Sequence, residues 1–327
     1  MIITERLILL PFNQAMLEAT VSGDEKAFAE AGLKPNSKWF ASDIRTRANG
    51  FLSLMGLGGK DEALPWMIVL KDGNEVIGDI GIMTTGEAAL IEIGYGIAKP
   101  YRRNHYASEA IRALTWYQYV SHPTLKGIEA NIEKVNEASH HCIIAAGYKE
   151  ISSEGHLKTY LFDKGDFEAW YRQLSPNGLV LVSACLLDYT VRYNAEPLQN
   201  DVMAYAAKLM RHAVKVPCCP EQLGGLSTPR SPVECEQATG CYINQKGEDV
   251  SAAFECGAQM VLKMAEQLET HLFILKQSSP SCGSVNIYDG TFSGQKISGS
   301  GCTVKKIMMH FKSYIILDEN GHMVFKA

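Results

Sequence analysis

Cys185, Cys219 and Cys282 each sit in a short, distinctive string: Ser183-Ala184-Cys185-Leu186-Leu187, Cys219-Pro220-Glu221 and Ser279-Pro280-Ser281-Cys282-Gly283. Soft metals and iron–sulfur clusters are held by thiolates converging from separate loops, and three such ligands leave a coordination position open for chemistry. A single cysteine is more commonly a small buried hydrophobe. Only the three strings together point to a metal centre. A second constellation lies in the other half of the chain. There Tyr101-Arg102-Arg103-Asn104-His105-Tyr106-Ala107 follows a strand-like apolar run and opens a helical one. Backbone amides at a helix start, flanked by arginines, suit phosphate oxygens.

Residues so far apart must be carried together by the fold. In the second half, strands are expected over 180–184, 213–217 and 271–276, and helices over 198–212, 250–268 and 304–310. Each of the three cysteines lies past one of these strands. In an open parallel sheet the loops beyond the strand carboxyl ends share one crevice, which is how distant thiols meet. In the first half, strands are expected over 2–10, 66–70, 76–83, 89–97 and 127–132, and helices over 13–31, 107–119 and 136–146. Lys71-Asp72-Gly73-Asn74 makes the second and third of those strands a hairpin. The result is a mixed α/β sheet. A short helix over 167–174 is stopped by Ser175-Pro176-Asn177-Gly178, which places the domain boundary there and gives domains over 1–175 and 178–327.

The 327 residues suffice for two such domains, and 46% hydrophobic with 20% charged residues is ordinary for a globular protein. A formal net charge of −5 supplies no global drive toward nucleic acid or membrane, while leaving a local basic site open. The apolar start is interrupted by Glu5 and Arg6 and followed by Pro11, so it reads as a strand rather than a signal or spanning helix. No later apolar run is long enough to span a bilayer. The expected compartment is the cytoplasm, where thiols stay reduced. The nine cysteines, eight of them from Cys185 onward, therefore read as free thiols or ligands rather than disulfides.

Thr4-Glu5-Arg6-Leu7-Ile8-Leu9, the basic turn, Asn136-Glu137-Ala138-Ser139 and Gly147-Tyr148 occur in an order that resembles the GNAT acetyltransferases, in their ribosomal-protein branch, over residues 1–175. The resemblance implies an acetyl-CoA site. The amides of Arg102, Arg103, Asn104, His105, Tyr106 and Ala107 would hold the pyrophosphate, and Asn136 would lie beside the pantetheine arm. Glu92 stands where many members activate the acceptor amine through water; the same residue also reads as an exposed strand glutamate. His105 occupies the place of a family glycine, which sets a side chain where backbone should approach the cofactor. Ile143 replaces the tyrosine that some relatives use as general acid.

The three cysteine strings, together with Val191-Arg192-Tyr193-Asn194, Gly224-Gly225-Leu226-Ser227-Thr228-Pro229-Arg230 and Ile287-Tyr288-Asp289-Gly290-Thr291-Phe292, resemble the 2-thiouracil desulfurase family over 178–310. The resemblance implies a [4Fe–4S] cluster on Cys185, Cys219 and Cys282, and an α/β domain of open, mainly parallel, Rossmann-like form behind the GNAT-like mixed sheet. The implied substrate is a thiolated uracil, as base, nucleotide or part of an RNA, which water converts to uracil and hydrogen sulfide. A soft thiocarbonyl suits an open iron, and a carboxylate is needed to take a proton from the water. Glu221 is the expected base, with Ser279 or Ser281 as proton relay. Arg192 and Arg230 read either as ion-pair partners or as anchors for the substrate. Gly224-Gly225 reads as a close approach to a flat ligand or a tight turn. Cys302 reads as packing, or as a fourth ligand that would close the cluster. Asp188 and the pair Asn194-Ala195 stand where the family has glycine and Asp-Gly. The competing reading is a non-catalytic regulatory or metal-binding protein with a degenerate acyl-CoA domain.

Overall fold

Leu7 and Leu9 are fully buried while Ile8 and Leu10 are only half covered, the two-residue period of a strand lying on a core. They belong to β2 (Leu7–Pro11), which pairs antiparallel with β1 (Ile2–Ile3). The single strand expected over 2–10 is thus a hairpin. Its bend is made by Thr4, whose hydroxyl accepts the Leu7 N–H at 2.9 Å. The computed structural model describes residues 1–40, 44, 48–49, 52, 65–199, 210 and 213–326. These fall into two compact units, Met1–Glu168 and Ala169–Ala327. The helix expected over 198–212 lies almost entirely outside the described residues.

In the first unit, α1 (Gln14–Ser22) starts where Asn13 Oδ1 accepts the Met16 N–H at 2.8 Å. It ends at Gly23, whose φ of 80° no helix continues. The helix expected over 13–31 is therefore two, the second being α2 (Lys26–Glu30). After β3 (Lys34–Pro35) and α3 (Ser37–Phe40) come β4 (Trp66–Leu70), β5 (Glu75–Thr84) and β6 (Leu90–Ile97). Helix α4 (Tyr106–Ser121) then crosses to β7 (Gly127–Glu133), α5 (Glu137–Ala145) follows, and β8 (Lys149–Glu154) and β9 (Leu157–Asp163) form a hairpin before α6 (Lys164–Leu174), along which the division at Glu168 falls. The sheet order is β1-β2-β4-β5-β6-β7-β9-β8, with β3 beside β5. All these pairings are antiparallel except β3–β5 and β6–β7. Strands β6 and β7 are paired over 90–92 and 127–129, beyond which they part.

The first strand of the second unit is β10 (Leu179–Ser183), where Val180, Leu181 and Val182 are all fully buried. A strand covered on both faces reads as an unbroken apolar run, which is why this one was visible in the sequence. Next come β11 (Val214–Cys218), α7 (Pro220–Leu223), the small hairpin β12 (Val233–Cys235) and β13 (Tyr242–Asn244), and α8 (Ser251–Gln267). They are followed by β14 (Leu272–Ile274), a second small hairpin of β15 (Asn286–Tyr288) and β16 (Lys296–Ser298), and α9 (Cys302–His310). The chain ends in β17 (Tyr314–Leu317) and β18 (Met323–Lys326). The order β11-β10-β14-β17 is parallel and β18 closes antiparallel on β17, the open, mainly parallel α/β sheet expected. Among the described residues no helix is long and apolar enough to cross a membrane.

Candidate functional site

Cys185 lies in a 3-10 turn directly after β10, Cys219 follows β11 and caps α7, and Cys282 sits in the loop after β14. All three line one cavity of about 750 Å³ at the carboxyl ends of the parallel strands, and Glu221, Ser279 and Arg192 line it too. Cys218 is buried and also reaches this wall. The cysteines share the cavity rather than a closed tripod: among the described residues no group of three or more His, Cys, Asp or Glu side chains forms a ready metal-binding cluster.

Burial pushes the Cys185 thiol up to about 12, and the neighbouring Cys219 adds to the effect. The Cys282 thiol is driven up by complete burial, against which a hydrogen bond from Ser183 acts. Burial also raises Cys219, partly offset by the backbone amides of Gln222 and Glu221. Three desolvated thiols facing one space, without a cation, stay protonated. A soft cation placed among them would reverse that balance.

Glu221 does not stand alone. Arg230 binds its Oε2 through Nε at 2.8 Å and Nη2 at 2.6 Å, so Arg230 takes the ion-pair role among its two readings. Arg192 lines the cavity, with its guanidinium 5.9 Å from the Tyr193 ring centre. Ser279 faces the cavity, and its Oγ accepts the N–H groups of Ser281 and Cys282, each at 3.1 Å. Ser281 is fully buried, with its hydroxyl 3.1 Å from that of Thr303. Cys302 lies away from this wall in an apolar cluster with Cys235, Tyr242 and Phe254, its thiol 3.7 Å from Glu255 Oε1. Gly224 meets the protein rather than a ligand: a Cβ there would come within 2.0 Å of the Ala253 carbonyl oxygen, so α7 packs backbone to backbone on α8.

In the first unit, residues Arg102 to His105 form an exposed turn that runs into α4. His105 adopts φ 61° and ψ 13°, the left-handed backbone that glycine takes at least cost. The turn is braced from the first hairpin. Glu109, in the first turn of α4, accepts from Thr4 Oγ1 at 2.6 Å and Arg6 Nε at 2.8 Å, and the Arg6 guanidinium lies 4.6 Å from the Tyr106 ring centre. Asn136 caps α5, its Oδ1 accepting the Ser139 N–H at 3.2 Å. Glu92 is half-buried and pairs in register with Glu129 where β6 and β7 part. Burial, with Glu87 and Glu92 nearby, raises the Glu129 carboxyl above its usual range.

A family model described as 2-thiouracil desulfurase matches residues 180–319, and one described as acetyltransferase (GNAT) domain matches residues 6–149. YbbK of Bacillus subtilis (strain 168) is 39% identical over 150 residues, covering 43% of this chain and 96% of YbbK. The N-acetyltransferase YjdG of the same organism is 31% identical over 150 residues, covering 44% of this chain and 87% of YjdG. The chain belongs to the GNAT acetyltransferases in its first half and to the 2-thiouracil desulfurases in its second. Both are families of enzymes. A solved structure described as the [4Fe-4S]-dependent thiouracil desulfidase TudS is 33% identical, with a TM-score of 0.36 over 45% of this chain and 89% of TudS.

His105, Asp188 and Ala195, where the resemblances lead one to expect glycine, take φ values of 61°, 67° and 57°, the left-handed backbone that glycine adopts at least cost. Glu129 was missed by sequence reasoning because its role comes from the strand register. So was Glu234, a buried carboxylate whose Oε2 accepts the N–H groups of Gly290 and Phe292 at 3.0 and 2.9 Å and thereby shapes the Tyr288-to-Phe292 string.

Proposed function

We propose that the desulfurase half hydrolyses a thiolated uracil to uracil and hydrogen sulfide, and that the GNAT half binds acetyl-CoA and transfers acetyl to an amine. The domains proposed to do this span 178–327 and 1–175. One observation carries the first part: three cysteines from three strand-end loops line a single cavity with Glu221 and Ser279. The donor set fits a [4Fe–4S] cluster. It is purely thiol, and it comes from three separate strand-end loops that open on one cavity. Cys185, Cys219 and Cys282 would hold it, and when bound it would supply a soft Lewis acid for the thiocarbonyl sulfur.

The chain's own residues do the rest. Glu221, fixed by Arg230 on one oxygen, takes a proton from the attacking water. Ser279, the serine that faces the cavity, positions the base or relays the proton. Atoms balance without oxidation: water supplies the oxygen and two hydrogens, and sulfur leaves as hydrogen sulfide. A reducing compartment such as the cytoplasm keeps these thiols available. In the GNAT half, the amides of Arg102 to Ala107 hold the pyrophosphate, Asn136 lies by the pantetheine arm, and Glu92 activates the amine through water.

Anaerobic reconstitution of the full chain tests the main claim. About four irons per chain, as a cubane requires, with conversion of a thiouracil or thiouridine monophosphate to the oxo product, is the expected result. Colourless zinc-loaded protein without turnover would sink it and favour the regulatory reading.

A further inference from the structure

The geometry points to Gln277 and Asp318 as the positioning residues that set the shape of the Cys282 loop, an inference that rests on Cys282 being a cluster ligand. The segment from 277 to 286 belongs to no sheet until β15 begins, so its amides and carbonyls need partners from elsewhere. The start of α9 supplies the carbonyls: the N–H groups of Gly301, Cys302 and Thr303 donate to Gly283, Pro280 and Ser281 at 2.8, 2.9 and 3.0 Å. This approach is close enough that a Cβ on Gly301 would meet the Ser281 carbonyl at 2.5 Å. One side chain accepts four of the amides. Gln277, 3% exposed, accepts the N–H groups of Ser278, Ser284, Val285 and Asn286 on its Oε1, at 3.0, 3.2, 3.3 and 3.2 Å.

Four donors on one amide oxygen ask for a strong acceptor, and the other end of the amide provides it. Gln277 Nε2 donates to Asp318 Oδ2 at 2.5 Å, and Asp318 is completely buried. A carboxylate against the NH₂ polarises the amide and makes its oxygen a better acceptor. Asp318 is itself fixed by the tight turn between β17 and β18. Its Oδ1 accepts the N–H groups of Asn320 and His322 at 2.8 and 3.0 Å, and His322 Nδ1 lies 2.9 Å from Oδ2. Glu319, the next residue, accepts the Gln277 N–H at 2.8 Å and the Lys276 ammonium at 2.5 Å. The C-terminal hairpin turn is thus a bracket, and Gln277 transmits its position to the loop that carries Cys282.

The test uses the full-length chain, with two readouts: alkylation of Cys282 by iodoacetamide in the apo-protein, followed by peptide mass spectrometry, and iron retained after anaerobic reconstitution. Gln277→Glu sets carboxylate against carboxylate, and Asp318→Asn allows amide NH₂ to face amide NH₂. Each is expected to speed Cys282 alkylation about tenfold or more, the size of one lost buried charge-assisted hydrogen bond, and to lower retained iron. Cys142, a half-buried thiol of the first unit, should react as in the wild type. The combined Gln277→Glu/Asp318→Asn variant restores a donor and an acceptor in the opposite sense, and should return both readouts toward wild type. Should Gln277→Glu lose its near-ultraviolet circular dichroism, Asp318→Asn and the double variant carry the test. Wild-type alkylation and iron in the folded single variants overturn the proposal. So does a folded double variant as reactive as the singles. Wild-type protein that takes up no iron overturns the cluster reading instead, and the alkylation series still decides what Gln277 and Asp318 do.

Discussion

Arg230 grips a single oxygen of Glu221, with Nε at 2.8 Å and Nη2 at 2.6 Å from Oε2. Its Nη1 goes to the backbone oxygens of Val191 and Ser227, each at 3.1 Å. The carboxylate is thereby tied to the loops around Cys219 while Oε1 stays outside the pair. The two side chains are only 8% and 13% exposed, so removing the cation strands a largely buried anion. Arg230→Met should lower stability by about 3 kcal/mol in urea unfolding. Arg230→Lys should fall between it and wild type, since one ammonium cannot repeat the guanidinium's contacts. Equal stability in all three would mean the pair is solvated.

Glu221→Gln keeps the shape of that contact and removes the base. Turnover of thiouracil should fall about 10²- to 10⁴-fold, the usual range for a lost general base, while iron per chain stays at the wild-type level. Loss of iron together with activity would show that Glu221 serves the metal site rather than the water.

Cys185→Ser, Cys219→Ser and Cys282→Ser should each abolish the visible absorbance of reconstituted protein. Cys302→Ser should retain it, because Cys302 packs beside Tyr242 and Glu255 and does not line the cavity. Iron analysis across the four variants checks this. Dependence on Cys302 would close the open coordination position and remove the hydrolytic mechanism.

Much of this site could be read from the sequence because its thiols follow strands with strong apolar runs. Leu179-Val180-Leu181-Val182 announces β10, and so places Cys185. What could not be read is polar and tertiary. Gln277 acquires its role only when its own loop curls onto it and Asp318 meets it, and Glu234 only when the distant Gly290 and Phe292 amides fold onto it. Strand β8 was missed because only Ser152 along it is even partly covered, leaving no apolar period to detect. The C-terminal hairpin was legible and was overlooked. Tyr314-Ile315-Ile316-Leu317 and Met323-Val324-Phe325 flank Asp318-Glu319-Asn320-Gly321, a turn signal between two apolar runs.

His105 and Ala195 hold left-handed backbone that costs an L-residue roughly 1–2 kcal/mol, with φ of 61° and 57°. Ala195→Gly should therefore raise the melting temperature slightly, the relief outweighing the extra freedom of glycine in the unfolded chain. His105→Gly removes an exposed imidazole from the turn while keeping its path, so acetyl-CoA should bind more tightly in calorimetry. Weaker binding would show that the imidazole itself contacts the cofactor.

Glu129 gives the first unit a distinctive response to pH. Burial first, then the nearby Glu87 and Glu92, raises its carboxyl above the ordinary 4.5. The folded state then holds a proton that the unfolded state has released, across the interval from 4.5 up to the raised value. Stability is fully present below that interval and falls as pH rises through it. Glu129→Gln removes this titration. The variant should melt higher than wild type at neutral pH, and the difference should vanish as pH is lowered toward 4.5. Paired thermal melts across that range decide the matter. A difference that stays constant with pH would assign the effect to packing, and a variant less stable at neutral pH would show that the ionised carboxylate has a favourable partner in the fold.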